Sequence, residues 1–204
     1  HQFSPEWSMM SEVEIEHNMV YSEGDGGYLA MEQAHLNYWN GTWGWQGGVI
    51  LVPSGIINEY HEPPTFMSVE RPEYNKYIIP TTWFDNGFAF YGSMGDFNAK
   101  VAFTGDLDGD GIGNGIRSAR MKGVSSTASS WTKTFQGSWT GMTGLKVGGS
   151  MTMNDAPRAD DAEGNEVDPV GVTLTEFNAT YSAGNIYPRM EYGKIDYTDN
   201  PDMV

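Results

Sequence analysis

Along most of the chain hydrophobic side chains recur at every second position, the repeat of a strand with one polar and one apolar face. Over residues 11–21, Glu12, Glu14, Glu16 and Asn18 alternate with Val13, Ile15, His17, Met19 and Tyr21. Residues 97–104 set Phe97, Ala99, Val101 and Phe103 against Asn98, Lys100, Ala102 and Thr104. Residues 145–153 set Leu145, Val147, Gly149, Met151 and Met153 against Lys146, Gly148, Ser150 and Thr152. Blurred versions of the repeat occupy residues 28–39, 42–52, 82–91, 132–140, 171–182 and 186–197. No stretch carries 3.6-residue apolar spacing long enough for a substantial helix. The pattern predicts an all-β, antiparallel protein of about nine strands.

The connections narrow the class. Asn40-Gly41 is a hairpin signal, because both residues tolerate positive φ. Residues 93–96, 141–144 and 183–185 are also short, whereas residues 53–81, 105–131 and 154–170 are long and rich in Gly, Pro, Asp and Glu. A soluble sandwich has no reason to alternate short and long connections, but a transmembrane β-barrel has short periplasmic turns and long external loops. Strands of about 8–12 residues are also long enough to cross a bilayer when tilted. Trp39, Trp43, Trp83, Trp131, Trp139 and Tyr181 fall near strand ends, where interfacial girdles place aromatics, although strands favour aromatics in any setting.

Composition removes other classes. Val49 to Val52 is the longest apolar run, far short of the roughly 20 residues of a spanning helix. A mean hydropathy of −0.46 is no argument against a barrel, whose apolar residues are diluted by alternation. The chain has no cysteine, which excludes disulfides, thiolate zinc sites and a catalytic thiol. With 11 basic against 27 acidic residues and no basic run, nucleic acid is not an expected partner. The first residues, His1-Gln2-Phe3-Ser4, lack an initiating Met and a signal pattern, and are expected to follow processing or truncation.

The run Val49-Ile50-Leu51-Val52-Pro53-Ser54-Gly55-Ile56-Ile57-Asn58-Glu59-Tyr60-His61-Glu62-Pro63-Pro64, continued by Val69-Glu70-Arg71-Pro72 and Tyr77-Ile78-Ile79-Pro80-Thr81-Thr82-Trp83, resembles bacterial outer-membrane porins related to the phosphate-selective porin group. Met31-Glu32-Gln33-Ala34-His35-Leu36-Asn37-Tyr38 and Asn114-Gly115-Ile116-Arg117 resemble the same family. The resemblance implies a barrel of about 16 strands in the outer membrane, commonly trimeric, set in lipid and lipopolysaccharide, with one loop folded into the lumen. The chain supplies about nine strands and ends at Asp202-Met203-Val204, without an aromatic closing strand. Residues 1–204 are therefore expected to form a single barrel domain incomplete at its C-terminal end. A tenth strand within residues 1–10, where Phe3, Trp7 and Met9 alternate, is the alternative.

Face assignment then predicts the wall of a water-filled pore for ions and small hydrophilic solutes, which needs no catalytic group. With Val13, Ile15, Phe97, Val101, Val147 and Met151 towards lipid, Glu12, Glu14, Glu16, Lys100, Lys146, Arg189 and Glu191 line the lumen. The acidic excess suggests a general preference for cations, and no basic cluster suited to phosphate selection is visible. The loop of residues 53–81 offers Glu59, His61, Glu62 and Arg71 for a constriction, stiffened by Pro63, Pro64, Pro72 and Pro80, or for a trimer contact or cap. Asp106, Asp108 and Asp110, followed by Gly111, have the spacing of a calcium loop, but Arg117 stands where the bidentate glutamate belongs. Ca2+ is thus an optional ligand and no cofactor is required. The reading from a different class is a secreted β-sandwich binding carbohydrate with calcium.

Overall fold

The computed structural model describes residues 1–15, 21–22, 25–27, 29–61, 65 and 71–198. Its strands are β1 (Trp7–Ile15), β2 (Tyr21–Ser22), β3 (Asp25–Gly26), β4 (Leu29–Trp39), β5 (Trp43–Leu51), β6 (Phe84–Met94), β7 (Phe97–Thr104), β8 (Thr132–Met142), β9 (Leu145–Ala156), β10 (Val170–Tyr181) and β11 (Arg189–Thr198). Two single-turn helices, α1 (Ile56–Glu59) and α2 (Tyr74–Tyr77), lie in the loop between β5 and β6, where the sequence pattern predicted none. No helix among the described residues is long and apolar enough to cross a membrane.

Nine strands form one antiparallel sheet in the order β1-β4-β5-β6-β7-β8-β9-β10-β11, and β2 pairs only with β3. Each long strand therefore lies beside the next long strand in sequence, as a meander, and the order runs between two edges without closing. Among the described residues all of the long strands sit in this one sheet, so the sandwich expectation finds no second sheet of long strands to stack on it. The first strand begins at Trp7, not at Ser11, and takes in Met9; the separate tenth strand is thereby absorbed into β1. Residues 16–20 of the predicted first strand, with Glu16, lie outside the described residues, as do Glu62 and residues 199–204, while Tyr21 begins β2.

Turn chemistry sets the short connections. Asn40 Oδ1 accepts from the backbone N–H of Thr42 at 3.0 Å and of Trp43 at 2.9 Å, and Gly41 takes φ 98°. Asn40 thus closes a three-residue turn through its side chain instead of supplying one centre of a two-residue turn. Gly95 and Gly144, at φ 59° and 82°, occupy left-handed positions in the turns after β6 and β8. The last turn is longer than predicted, with β11 starting at Arg189.

The two faces of the sheet differ as the alternation requires. Phe90, Phe135 and Phe177 on one face are 53%, 46% and 61% exposed, and Ile15, Met31, Leu36, Met151 and Met190 share that face. Trp7, Tyr38, Trp43 and Trp45 make a chain of ring contacts of 5.1–5.6 Å beside the turn between β4 and β5. Phe88 meets Trp131 at 5.7 Å towards the opposite end. The other face carries Gln46, Lys100, Gln136, Lys146 and Asn178 in its middle. Towards the long loops it turns apolar: Ala156, Val170, Val172 and Leu174 are buried against Val52, Ile79, Trp83, Leu107 and Ile116. The inner face is thus ionic only over part of its height, because the loops fold back and need an apolar seat.

Candidate functional site

The loop between β5 and β6 lies against the polar face. Its stems are closed by Asn58, a buried residue of α1, whose Nδ2 donates to the Val52 carbonyl at 2.8 Å and whose Oδ1 accepts from the Trp83 N–H at 2.7 Å. Gly55, at φ 75°, lets the chain turn beneath Glu191 and Ile79, where a Cβ would collide with both. Just beyond it, the Ile56 N–H donates to Glu191 Oε1 at 2.9 Å, and Ser54 Oγ lies 3.0 Å from Ser150 Oγ, which donates to Glu176 Oε2. Arg189 Nη2 donates to the Thr65 carbonyl at 2.6 Å. In the middle, Gln136 Nε2 on β8 donates to Glu59 Oε2 at 2.6 Å. At the far side, His61 Nε2 lies 2.9 Å from Glu32 Oε2 on β4 and 3.7 Å from Glu12 Oε1 on β1.

These contacts fix the curvature of the wall. From β1 to β11 the sheet takes eight lateral steps, about 38 Å at a spacing of about 4.8 Å. Ile56 and His61 touch its two ends, yet five residues of chain span at most about 17 Å. The sheet is therefore rolled into a trough around the loop, the sense in which a twisted sheet coils towards a barrel.

Two spaces remain between loop and wall. One, of about 610 Å3, is lined by Glu59, Tyr60, Gln136, Lys146, Asn178 and Arg189. The other, of about 350 Å3, shares Glu59, Gln136 and Lys146 and adds Asn37, Tyr91 and Lys100. Lys100, Lys146 and Arg189 come from three different strands, Lys146 lining both spaces, Arg189 the first and Lys100 the second, an arrangement the linear sequence does not display. Among the described residues of the loop, Glu59 is the acid that lines both spaces with them.

The other sequence candidates are placed as follows. Glu12 and Glu14 sit on the inner side of β1, and Glu191 on that of β11, opposite the exposed Val13, Ile15 and Met190. Arg71 Nη1 donates to Thr81 Oγ1 at 2.9 Å, within its own loop and away from both cavities. His61 is held above its usual pKa by the adjacent Glu32 carboxylate, against the opposing effect of burial.

The three aspartates do not converge. Asp106 is buried and accepts from the N–H of Ser129 at 2.6 Å, Thr127 Oγ1 at 2.9 Å and Asn154 Nδ2 at 3.1 Å. Asp108 caps a 3-10 turn at Gly109–Gly111 by accepting from the Asp110 N–H at 3.0 Å. Asp110 accepts from the Ala159 N–H at 2.7 Å and pairs with Arg158 at 3.1 Å, contacts that hold its carboxyl below the usual range. Among the described residues, the acidic and imidazole atoms that gather within 4.8 Å of one another belong to Glu12, Glu32 and His61. Glu32 had no sequence signal of its own. It sits at a bulge, where the pairing slips between Glu12–Gln33 and Val13–Met31, so that Glu32 and Gln33 both turn inward.

No family model matches the sequence. A stretch of 93 residues, 45% of the chain, is 46% identical to an uncharacterized protein of Aquifex aeolicus strain VF5. The match takes in 21% of that protein, so the matched stretch spans about a fifth of its relative's length. Among solved structures the chain is similar to a loop L8 deletion mutant of OmpT, an outer-membrane protein of Vibrio cholerae, with a TM-score of 0.55 and 11% identity. That similarity covers 98% of this chain and 60% of the other. At this identity the likeness is one of fold: the nine-stranded antiparallel sheet is similar to the strand arrangement of that protein.

Proposed function

We propose that the chain forms the wall and constriction of an outer-membrane diffusion channel, of the porin type that its sequence resembles. One observation carries this reading: the long loop crosses the polar face of a trough whose opposite face presents rings and aliphatic chains outward, leaving cavities lined by Glu59, Lys100, Lys146 and Arg189. An apolar outer face needs lipid, and a polar inner face that keeps open volume beside a tethered loop suits the passage of hydrated solutes. In hydrocarbon the unpaired edges β1 and β11 require partners, so the sheet belongs to a larger closed barrel, of about 16 strands if the resemblance holds. Trimer formation is part of the same proposal.

The acid on the loop and the bases on the wall set a transverse field across the opening, so selectivity follows this local pattern more than the net charge of −16. No chemical step is involved. The test is single-channel recording in planar bilayers with the protein purified in detergent. Stepwise conductance is expected. Solubility without detergent, together with absent conductance, would overturn the reading.

A further inference from the structure

His61 meets the wall in an unusual way. Its side chain is 8% exposed and that of Glu32 is 4% exposed. The Nδ1 atom lies 3.2 Å from the Asn58 carbonyl, a group that only accepts, so Nδ1 keeps a proton and Nε2 is the nitrogen left to act as a ligand once its own proton is displaced. That nitrogen is aimed at two carboxylates. Although Nε2 is 2.9 Å from Glu32 Oε2, it is a buried atom that makes no hydrogen bond of acceptable geometry. The carboxylate of Glu12 is itself oriented: Gln33 Nε2 holds its Oε2 at 2.6 Å, which leaves Oε1 facing the imidazole. Glu14 and Lys122 also lie close enough to act on Glu32.

The geometry points to a binding site for a divalent transition-metal ion of the Zn2+ type, held by His61 Nε2 and carboxylate oxygens of Glu12 and Glu32, that pins the pore loop to the first two long strands. Zinc takes nitrogen and oxygen ligands at about 2.1 Å, which in a tetrahedral site puts neighbouring ligand atoms about 3.4 Å apart. The Nε2 separations of 2.9 and 3.7 Å bracket that value. The surroundings match what such ligands need, a carbonyl on the far nitrogen of the histidine and an amide on the spare oxygen of the glutamate. A nitrogen donor among oxygens favours zinc-like ions over calcium or magnesium. The ion replaces the proton that would otherwise sit between imidazole and carboxylates, so binding releases it.

The inference goes beyond the channel reading and is tested without conductance. The protein in detergent, stripped with chelator, is titrated with Co2+ as an optical probe, followed by Zn2+. A visible absorption band saturating at one ion per chain, and displaced by Zn2+, is expected. His61→Gln and Glu32→Gln should each weaken Co2+ binding at least about 100-fold, the scale on which even supporting groups matter. Asp108→Asn, in the aspartate loop, should leave the titration unchanged. The site is refuted if wild-type protein shows no band at millimolar Co2+, or if the band survives in His61→Gln, or if it is lost in Asp108→Asn. The wild-type titration decides even where a variant fails to fold.

Discussion

Replacing Phe135 by arginine separates a lipid-facing wall from a water-facing sheet. Phe135 lies mid-strand in β8, paired with Val101 and Met151, and is 46% exposed. A phenylalanine side chain offers roughly 150–200 Å2, so about 80 Å2 is given to acyl chains in a bilayer, which at about 25 cal/mol per Å2 stabilises by about 2 kcal/mol. Arginine at the bilayer midplane costs about 2–4 kcal/mol more. The total, about 4–6 kcal/mol, is a large part of the stability of most domains. In water the same exchange at an exposed position is worth about 0.5 kcal/mol or less. The assay is urea unfolding in lipid vesicles followed by tryptophan fluorescence. Ser138→Arg, three residues along β8 and on its opposite, polar face, serves as the control because Ser138 lines both cavities. It should change stability by less than about 1 kcal/mol. Equal effects of the two substitutions, or a Phe135→Arg cost below about 1 kcal/mol, would refute the assignment of the faces.

Three further outcomes are expected. Lys146→Glu reverses a wall charge; at about 8 Å in water each unit pair is worth about 0.5 kcal/mol, so a monovalent cation gains about 1 kcal/mol, roughly fivefold, readable as a reversal-potential shift in a salt gradient. In chelator-treated protein the His61–Glu32 contact should be pH-dependent: because the folded pKa of His61 is raised, its stabilisation is full below the ordinary value of 6.5 and is lost as pH rises through the folded value. Amide exchange over residues 52–61 should quicken across that rise in the wild type and not in His61→Gln; a flat wild-type profile would count against the contact. Asp106→Ala removes the acceptor of the part-buried Ser129 and Ser130 N–H groups and of the buried Asn154 Nδ2, and should cost about 3–5 kcal/mol, measured as a lower urea midpoint.

The strands were legible because each one alternates along its own length, and a period of two survives whatever the neighbours are. The loop alternation was legible for the same local reason, since turn residues act within three or four positions. What lay beyond sequence reading was long-range. Val170, Val172 and Leu174 have the inward phase of pore-lining residues, but the returning loops cover them, and nothing in β10 itself announces the cover. Lys100, Lys146 and Arg189 come to face the same loop only when the five strands from β7 to β11 are laid in order. Glu32 breaks the alternation of β4, so a reading that depends on strict phase passes over it, although the break is what turns it towards His61. The Asp-rich loop shows the converse: calcium-like spacing is local, but in the fold each carboxylate has found a separate structural partner.

The tethered loop also dictates an order of assembly. The wall grows by hairpins between strands adjacent in sequence, pairings of low contact order that form quickly. The loop's anchors are of another kind: Ile56 reaches Glu191 across 135 residues and Arg189 reaches Thr65 across 124. Those contacts cannot form until the last strand is in place, so the loop docks after the wall. A nascent chain that stalls before β11 keeps its loop unseated, and the polar face is covered only in molecules whose sheet has been laid down to that strand.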